Sequence, residues 1–310
     1  MRPALGASAT PAAERLARVA SEGGVLVTTG QQPGLFGGPV YTWSKAVAAL
    51  ALADAIESQT GVPAAALFWA ATDDADLAEA SDTWVALPGG AERVRMAASA
   101  PEGTPMAAVP LPRLDAEVDT LARGAGSAAN APLLDRVRGA YGAPGATVGS
   151  AYVALLRVVL EPLGISVLDA AHDAVGEVAR SFLDRAHGRA GDIEGALARR
   201  DAELRAAGHE PQVALVAGRS LVFAWEHGVK RRLGVGERAP AETRLSPNVL
   251  LRPVVERAVL PTAAYLAGPG ELAYFAQVSA VAAALDAAQP VALPRWSCTI
   301  VEPHVERILA

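Results

Sequence analysis

Three stretches of this chain have residue types and spacing suited to chemistry on a small charged molecule. The first is the loop Gly30-Gln31-Gln32-Pro33-Gly34-Leu35-Phe36-Gly37-Gly38-Pro39, with Tyr41 and Lys45 just beyond it. Glycines at 30, 34, 37 and 38 let backbone approach a ligand without Cβ obstruction, and N–H groups at a helix start favour an anion. The Lys45 ammonium can supply a counter-charge to phosphate or carboxylate. Neither common nucleotide fingerprint is met, so a tight βα turn with glycines for packing stays open beside a binding loop. Gln31 and Gln32 favour the loop as a site, since a bare turn does not need two amides.

The second stretch is Asp73, Asp74 and Asp76. Three carboxylates there suit a substrate ammonium, a ribose hydroxyl, Mg²⁺ or general-base work, and equally a solvated loop whose aspartate caps the next helix. The third is Gly268-Pro269-Gly270-Glu271, followed by Tyr274 and Gln277 on the same helical face. Glu271 falls in a first turn, where capping explains a carboxylate as well as catalysis does. Asn248 and Arg252 add a polar pair, with Arg252 suited to an acidic substrate or to Glu256 one turn on, and Arg295 has the same two readings. Cys298 reads as a small buried residue rather than a nucleophile.

These groups need elements to position them. Val25–Thr29 reads as a strand ending at Gly30, Val40–Gln59 as a helix between Pro39 and Gly61, and Ala64–Ala70 as a buried strand, which together make a βαβ unit. The glycine loop and the aspartates then emerge on one sheet edge, where open α/β sheets bind ligands. Thr147–Leu160 reads as a helix, Ile165–Asp169 as a strand and 173–207 as long helix interrupted near Gly188–Gly191. Gln212–Val216, Ser220–Trp225 and Val229–Leu233 read as an antiparallel meander. Thr262–Leu266 and Val291–Leu293 are further strands, flanking a helix opened by Gly268-Pro269-Gly270. The stretch after Trp84, rich in proline and glycine, reads as loops and short strands laid on the sheet. The expected architecture is α/β: an open, mostly parallel sheet with helices on both faces. Residues 1–20 form an N-terminal arm, and 21–310 a single domain with insertions at about 85–146 and 171–245.

The composition narrows the partners. With 27 basic and 33 acidic residues the net charge is −6 and the pI about 5.5, which argues against nucleic acid or an anionic membrane. Apolar residues make up 51% and aromatics only 5%, so alanine must build much of the core. One cysteine excludes an internal disulfide framework and a cysteine-based zinc cluster. The five histidines, His172, His187, His209, His227 and His304, show no metal-ligand spacing, so no metal site is expected. No signal-peptide core or stretch of ~20 apolar residues is present, and the chain reads as soluble and cytoplasmic.

Taken together, the blocks Thr29–Thr42 with Lys45, Ser246-Pro-Asn-Val-Leu-Leu-Arg-Pro, and Ala267-Gly-Pro-Gly-Glu-Leu-Ala-Tyr-Phe-Ala-Gln resemble the bacillithiol-biosynthesis cysteine-adding enzyme family. Pro294-Arg-Trp-Ser and Val301-Glu-Pro continue the resemblance. It spans most of Val25 to Pro303, with Gly89 to Ala146 abbreviated. It implies a Rossmann-like core and a ligase that joins L-cysteine through an amide bond to glucosaminyl-malate. The cofactor stays open, with ATP or ADP and Mg²⁺ compatible with carboxylate activation. Carried onto this chain, the glycine loop with Lys45 would bind phosphate or a substrate anion, Asp73–Asp76 would hold an ammonium or assist proton transfer, and Gly268–Glu271 would complete the cleft. Where the family commonly has Glu-Asp-His-Asp, this chain reads Asp73-Asp74-Ala75-Asp76, so a small-molecule-binding module without catalysis is the alternative. The family's longer N-terminal helical region and C-terminal coiled coil have no counterpart in these residues, which sets the expectation of a monomer or weak dimer.

Overall fold

Five parallel strands carry the molecule, and their order explains where a ligand can enter. The computed structural model describes every residue except Ala7, Ser8, Pro88, Ile300, 302–305 and 308–310, so Glu302-Pro303 of the family resemblance and His304 lie outside the described residues. The chain runs α1 (Pro11–Glu22), β1 (Val25–Gln31), α2 (Val40–Thr60), β2 (Ala64–Ala70), α3 (Leu77–Ala80), β3 (Asp82–Leu87) and β4 (Gly90–Arg95). There follow α4 (Asp115–Ala125), α5 (Ala131–Tyr141), α6 (Val148–Leu160), β5 (Ile165–Asp169), α7 (Asp173–Gly188) and α8 (Ala190–Ala206). The last part holds β6 (Arg219–Glu226), β7 (Val229–Gly234), β8 (Leu245–Pro247), α9 (Arg252–Val259), β9 (Thr262–Ala267), α10 (Pro269–Ala284) and β10 (Val291–Pro294).

The main sheet has the order β10-β9-β1-β2-β5. β1 pairs in parallel with β2 from Val25↔Ala64 to Gln31↔Ala70, and with β9 on its other side. The central strands are buried on both faces, which is why they read as continuous apolar runs. After β1 the chain crosses by α2 to β2, whereas after β9 it crosses by α10 to β10, in the opposite direction. The carboxyl ends of β1 and β9 therefore flank a topological switch point, where no crossover covers the crevice.

Alanine packs α2 tightly onto this frame. Ala46, Ala49 and Ala53 are fully buried against Val27, Phe68 and Tyr152, and a larger side chain at any of them would push the helix off the sheet. Pro39, in extended conformation, stands at the N-cap just ahead of α2, and Gly61 ends the helix in the left-handed conformation that favours glycine. On the other face α1 closes the sheet with Val19 beside Leu26, Leu67 and Leu168. Thr10 caps α1, and Arg15 reaches the Ala64 carbonyl at 3.0 Å and Asp54 at 2.7 Å. Thus residues 11–22, within and just past the expected arm, form a docked helix; alternating buried and charged positions gave it a face to dock with.

Between β2 and β5 the chain makes the antiparallel β3–β4 hairpin and then α4 and α5. These helices replace much of the expected loop, because Val118, Val137, Ala140 and Tyr141 can bury together against Leu35 and Phe36. Between β5 and β9 lies a sheet of order β7-β6-β8. Its third strand is Leu245–Pro247 rather than the expected 212–216. The Gln277 amide donates to the Val213 carbonyl at 2.8 Å and accepts from its N–H at 3.0 Å, so a side chain occupies the bonds a strand partner would have made. Among the described residues no helix is long and apolar enough to cross a membrane.

Candidate active site

A cleft of about 340 Å³ opens at the switch point, and two walls of different construction line it. The sheet wall is built around Lys45, in the second turn of α2, whose side chain is 1% exposed. Its ammonium donates to the Gly30 carbonyl at 2.5 Å, to Gln31 Oε1 at 3.2 Å and to Glu271 Oε2 at 2.6 Å. An ammonium has three N–H donors, so all are committed within the protein. Glu271 is equally engaged: Oε2 also accepts the Gly268 N–H at 2.7 Å, and Oε1 accepts the Tyr265 hydroxyl at 2.6 Å. Arg252 donates to the same Tyr265 hydroxyl at 2.9 Å, to Tyr274 at 3.4 Å and to Glu256 at 3.1 Å. Glu256, fully buried, accepts the Thr28 hydroxyl.

This alternating chain of charges ties α2, β1, β9, α9 and α10 together behind the cleft. Burial works to raise Glu271, but Lys45, the Tyr265 hydroxyl and the Gly268 N–H outweigh it and hold the carboxyl below its ordinary value. Burial lowers Lys45, with Glu271 offsetting part of the effect. Glu256 is raised by burial, against the pull of Arg252.

The second wall follows β2. A turn closed by Asp74 N–H donating to the Ala71 carbonyl at 2.9 Å presents Asp73 and Asp74 to the cleft. Burial raises Asp74 above the usual aspartate value, and the neighbouring Asp73 charge adds to this. One Asp74 oxygen accepts the Asp76 N–H at 3.0 Å. Lys230, from β7, donates to the Asp73 carbonyl at 2.7 Å and stands 3.7 Å from its carboxylate. At the β10 end, Arg295 lies over the Tyr41 ring at 5.6 Å, while its backbone N–H donates to Ala267 at 2.8 Å. Among the described residues no cluster of three histidine, cysteine, aspartate or glutamate side chains is placed to hold a metal ion.

A family model described as bacillithiol biosynthesis BshC, N-terminal Rossmann-like domain, matches residues 4–239 and 236–296. The chain belongs to this family. A relative from Solibacter usitatus is 37% identical over 318 residues, covering 96% of this chain and 59% of the relative. One from Koribacter versatilis is 35% identical over 318 residues, covering 96% and 58%, and one from Geobacillus thermodenitrificans 29% over 315 residues, covering 93% and 58%. Each bears the name "Putative cysteine ligase BshC". The chain therefore spans somewhat under three fifths of the length of these curated relatives.

Most sequence-nominated residues of this BshC-family chain share the cleft. Gly30, Gln31, Gln32, Tyr41 and Lys45 line it from β1 and α2, and Asp73 and Asp74 from the turn after β2. Asn248 and Arg252 line it ahead of and on α9, and Gly268, Gly270, Glu271, Tyr274 and Arg295 complete it. Five nominated residues do not reach it. Beyond Gln32 the glycine loop turns away into the core, with Leu35 and Phe36 buried. Gly34 accepts the Tyr141 hydroxyl at 3.3 Å, Gly38 closes a short turn onto the Leu35 carbonyl, and Gly37 sits at φ 95° against the Trp43 ring. Asp76 caps α3 by accepting the Glu79 N–H at 3.0 Å. Gln277, 1% exposed, is spent on Val213 and on Asp201 at 2.9 Å. Cys298, expected to be buried, is exposed in the segment that leaves β10.

The structure adds Trp69, Lys230 and Tyr265 to the lining. Tyr265 and Trp69 lie inside apolar strand runs and read as core. Trp69 also keeps a buried indole N–H that has no partner among the described residues. Lys230 had one legible signal: it is one of only two lysines in the chain.

Proposed function

We propose that this chain carries the substrate cleft of a cytoplasmic cysteine ligase, joining L-cysteine to the amine of glucosaminyl-malate, or a similar amine, by an amide bond. The observation that supports this reading most is the pairing of walls: carboxylates at Asp73 and Asp74 share one cleft with the Arg295 guanidinium and the start of α10. An amino acid offers those two sets of partners an ammonium and a carboxylate. A nucleotide, ATP in the family's expected chemistry, would supply activation of the cysteine carboxylate. The acceptor ammonium must lose a proton before its nitrogen attacks, and Asp74, raised by burial, is suited to take it. The locked Lys45–Glu271–Tyr265 group keeps the sheet wall in place, so that little reorganisation accompanies the reaction.

Incubating the purified chain with L-cysteine, glucosaminyl-malate, ATP and Mg²⁺, with mass-spectrometric detection of bacillithiol, tests the proposal. Product formation is expected, and its absence at high protein concentration would overturn the assignment. Ala75, where the family pattern has histidine, favours a second reading in which the cleft binds without catalysing. Turnover by the wild-type chain rejects that reading, and turnover by the Ala75→His variant alone supports it.

A further inference from the structure

The chain has two lysines among its 27 basic residues, and both line the same cleft. Everywhere else a positive charge is carried by arginine, whose planar fork does not replace a compact ammonium in a confined site. The two lysines are held in opposite ways. Lys45 has every donor committed, to two oxygens of β1 and one of Glu271. The Lys230 side chain is 9% exposed, yet among the described residues its ammonium makes one hydrogen bond, to the Asp73 carbonyl. The Asp73 carboxylate, at 3.7 Å, is beyond hydrogen-bond distance. The Phe223 ring lies 5.0 Å from the ammonium, a contact that stabilises the charge without using an N–H. A nearly buried ammonium with spare donors at a cleft wall is a group awaiting an acceptor.

Its backbone is fixed where the side chain enters. The Lys230 N–H donates to the Gly103 carbonyl at 2.8 Å, joining the segment before α4 to the β6–β7 hairpin. Gly103 has φ 81°, and a Cβ there would stand 3.0 Å from the Lys230 carbonyl, so this junction requires glycine. The two stretches of chain between the sheet strands thus clasp each other at the point that delivers the ammonium.

We infer that Lys230 is the ligand-binding ammonium of the cleft, taking a carboxylate or phosphate of the substrate, and that Lys45 is a structural one. This rests on reading the cleft as the substrate site, but not on amide formation. In a chain labelled with ¹³C-lysine the Cε–Hε spectrum holds signals from just two residues, and Lys230→Arg assigns them. Titration with L-malate, and separately with pyrophosphate, distinguishes a carboxylate from a phosphate ligand. The Lys230 signal is expected to move saturably with at least one of them while the Lys45 signal stays. Lys230→Met is expected to weaken that anion by about tenfold or more, as loss of a charged hydrogen bond does. A Lys230 signal that neither anion moves, or a Lys230→Met chain that binds as tightly as wild type, overturns the inference. Anion binding at Lys230 without bacillithiol production would instead count against the proposed reaction alone.

Discussion

The two walls of the cleft use the same kinds of side chain to opposite ends. On the sheet wall, Lys45, Glu271, Tyr265, Arg252 and Glu256 are hydrogen-bonded to one another and to backbone. On the other wall, Lys230 and Asp74 each keep hydrogen-bonding capacity that no described residue uses. A buried charge is tolerable when it is paired and fully bonded, so the first wall is a finished piece of architecture. The second keeps charges short of partners, which costs stability and is retained where a ligand completes the set. A charged residue in a cleft is thus informative through what it has left to give.

The largest effect should come from unpairing the sheet wall. Glu271→Ala leaves the Lys45 ammonium buried without its carboxylate and is expected to cost about 3–5 kcal/mol in urea unfolding at pH 7. The same contact has a pH signature. The folded-state value of Glu271 lies below its ordinary 4.5, so its contribution is full above that pH and is lost as pH falls through the depressed folded value. The stability gap between wild type and Glu271→Gln should therefore close as pH falls below about 4.5; a gap that persists unchanged to acid unfolding would contradict the pairing.

Two substitutions away from both walls sharpen the contrast with smaller effects. Gln277 lies on α10, the helix that begins with Glu271, yet its amide is bound to Val213 and Asp201. Gln277→Ala should cost about 2 kcal/mol of stability, measured by urea titration, and leave ligand affinity at the cleft unchanged. Gly37→Ala meets a positive φ and the Trp43 ring 2.3 Å from the added carbon. It should lower stability by about 1–2 kcal/mol, again with no change in binding.

The strands and helices that form the switch point were legible because apolar runs bounded by glycine and proline define them. Ala64–Ala70 and Ile165–Asp169 fall where the pattern put them. The outer elements were less so. At α4 and α5 the helical faces bury against Leu35 and Phe36, which are distant in sequence, and at 212–216 a glutamine amide from α10 displaced an expected strand. The site showed the same division. Residue type brought Asp73, Asp74, Lys45 and Glu271 forward, but the number of partners each has depends on elements far along the chain. Lys45 therefore read as a free counter-charge when its donors are all spent. Lys230 passed as a residue of a hairpin strand, because the turn at Asp73 and the loop at Gly103 that give it meaning lie more than 100 residues away.

The claim that the switch-point cleft receives the substrate, with Asp74 as a working carboxylate, is tested most directly by ligand-induced thermal stabilisation of two chains. Asp74→Asn keeps an oxygen for the Asp76 N–H and should fold with a Tm close to that of wild type. With L-cysteine at ~100 times its Kd, wild type should gain about 2.7 kcal/mol, read as a rise of several degrees, and Asp74→Asn should lose most of it. No rise in wild type, or an equal rise in both chains, would contradict the account.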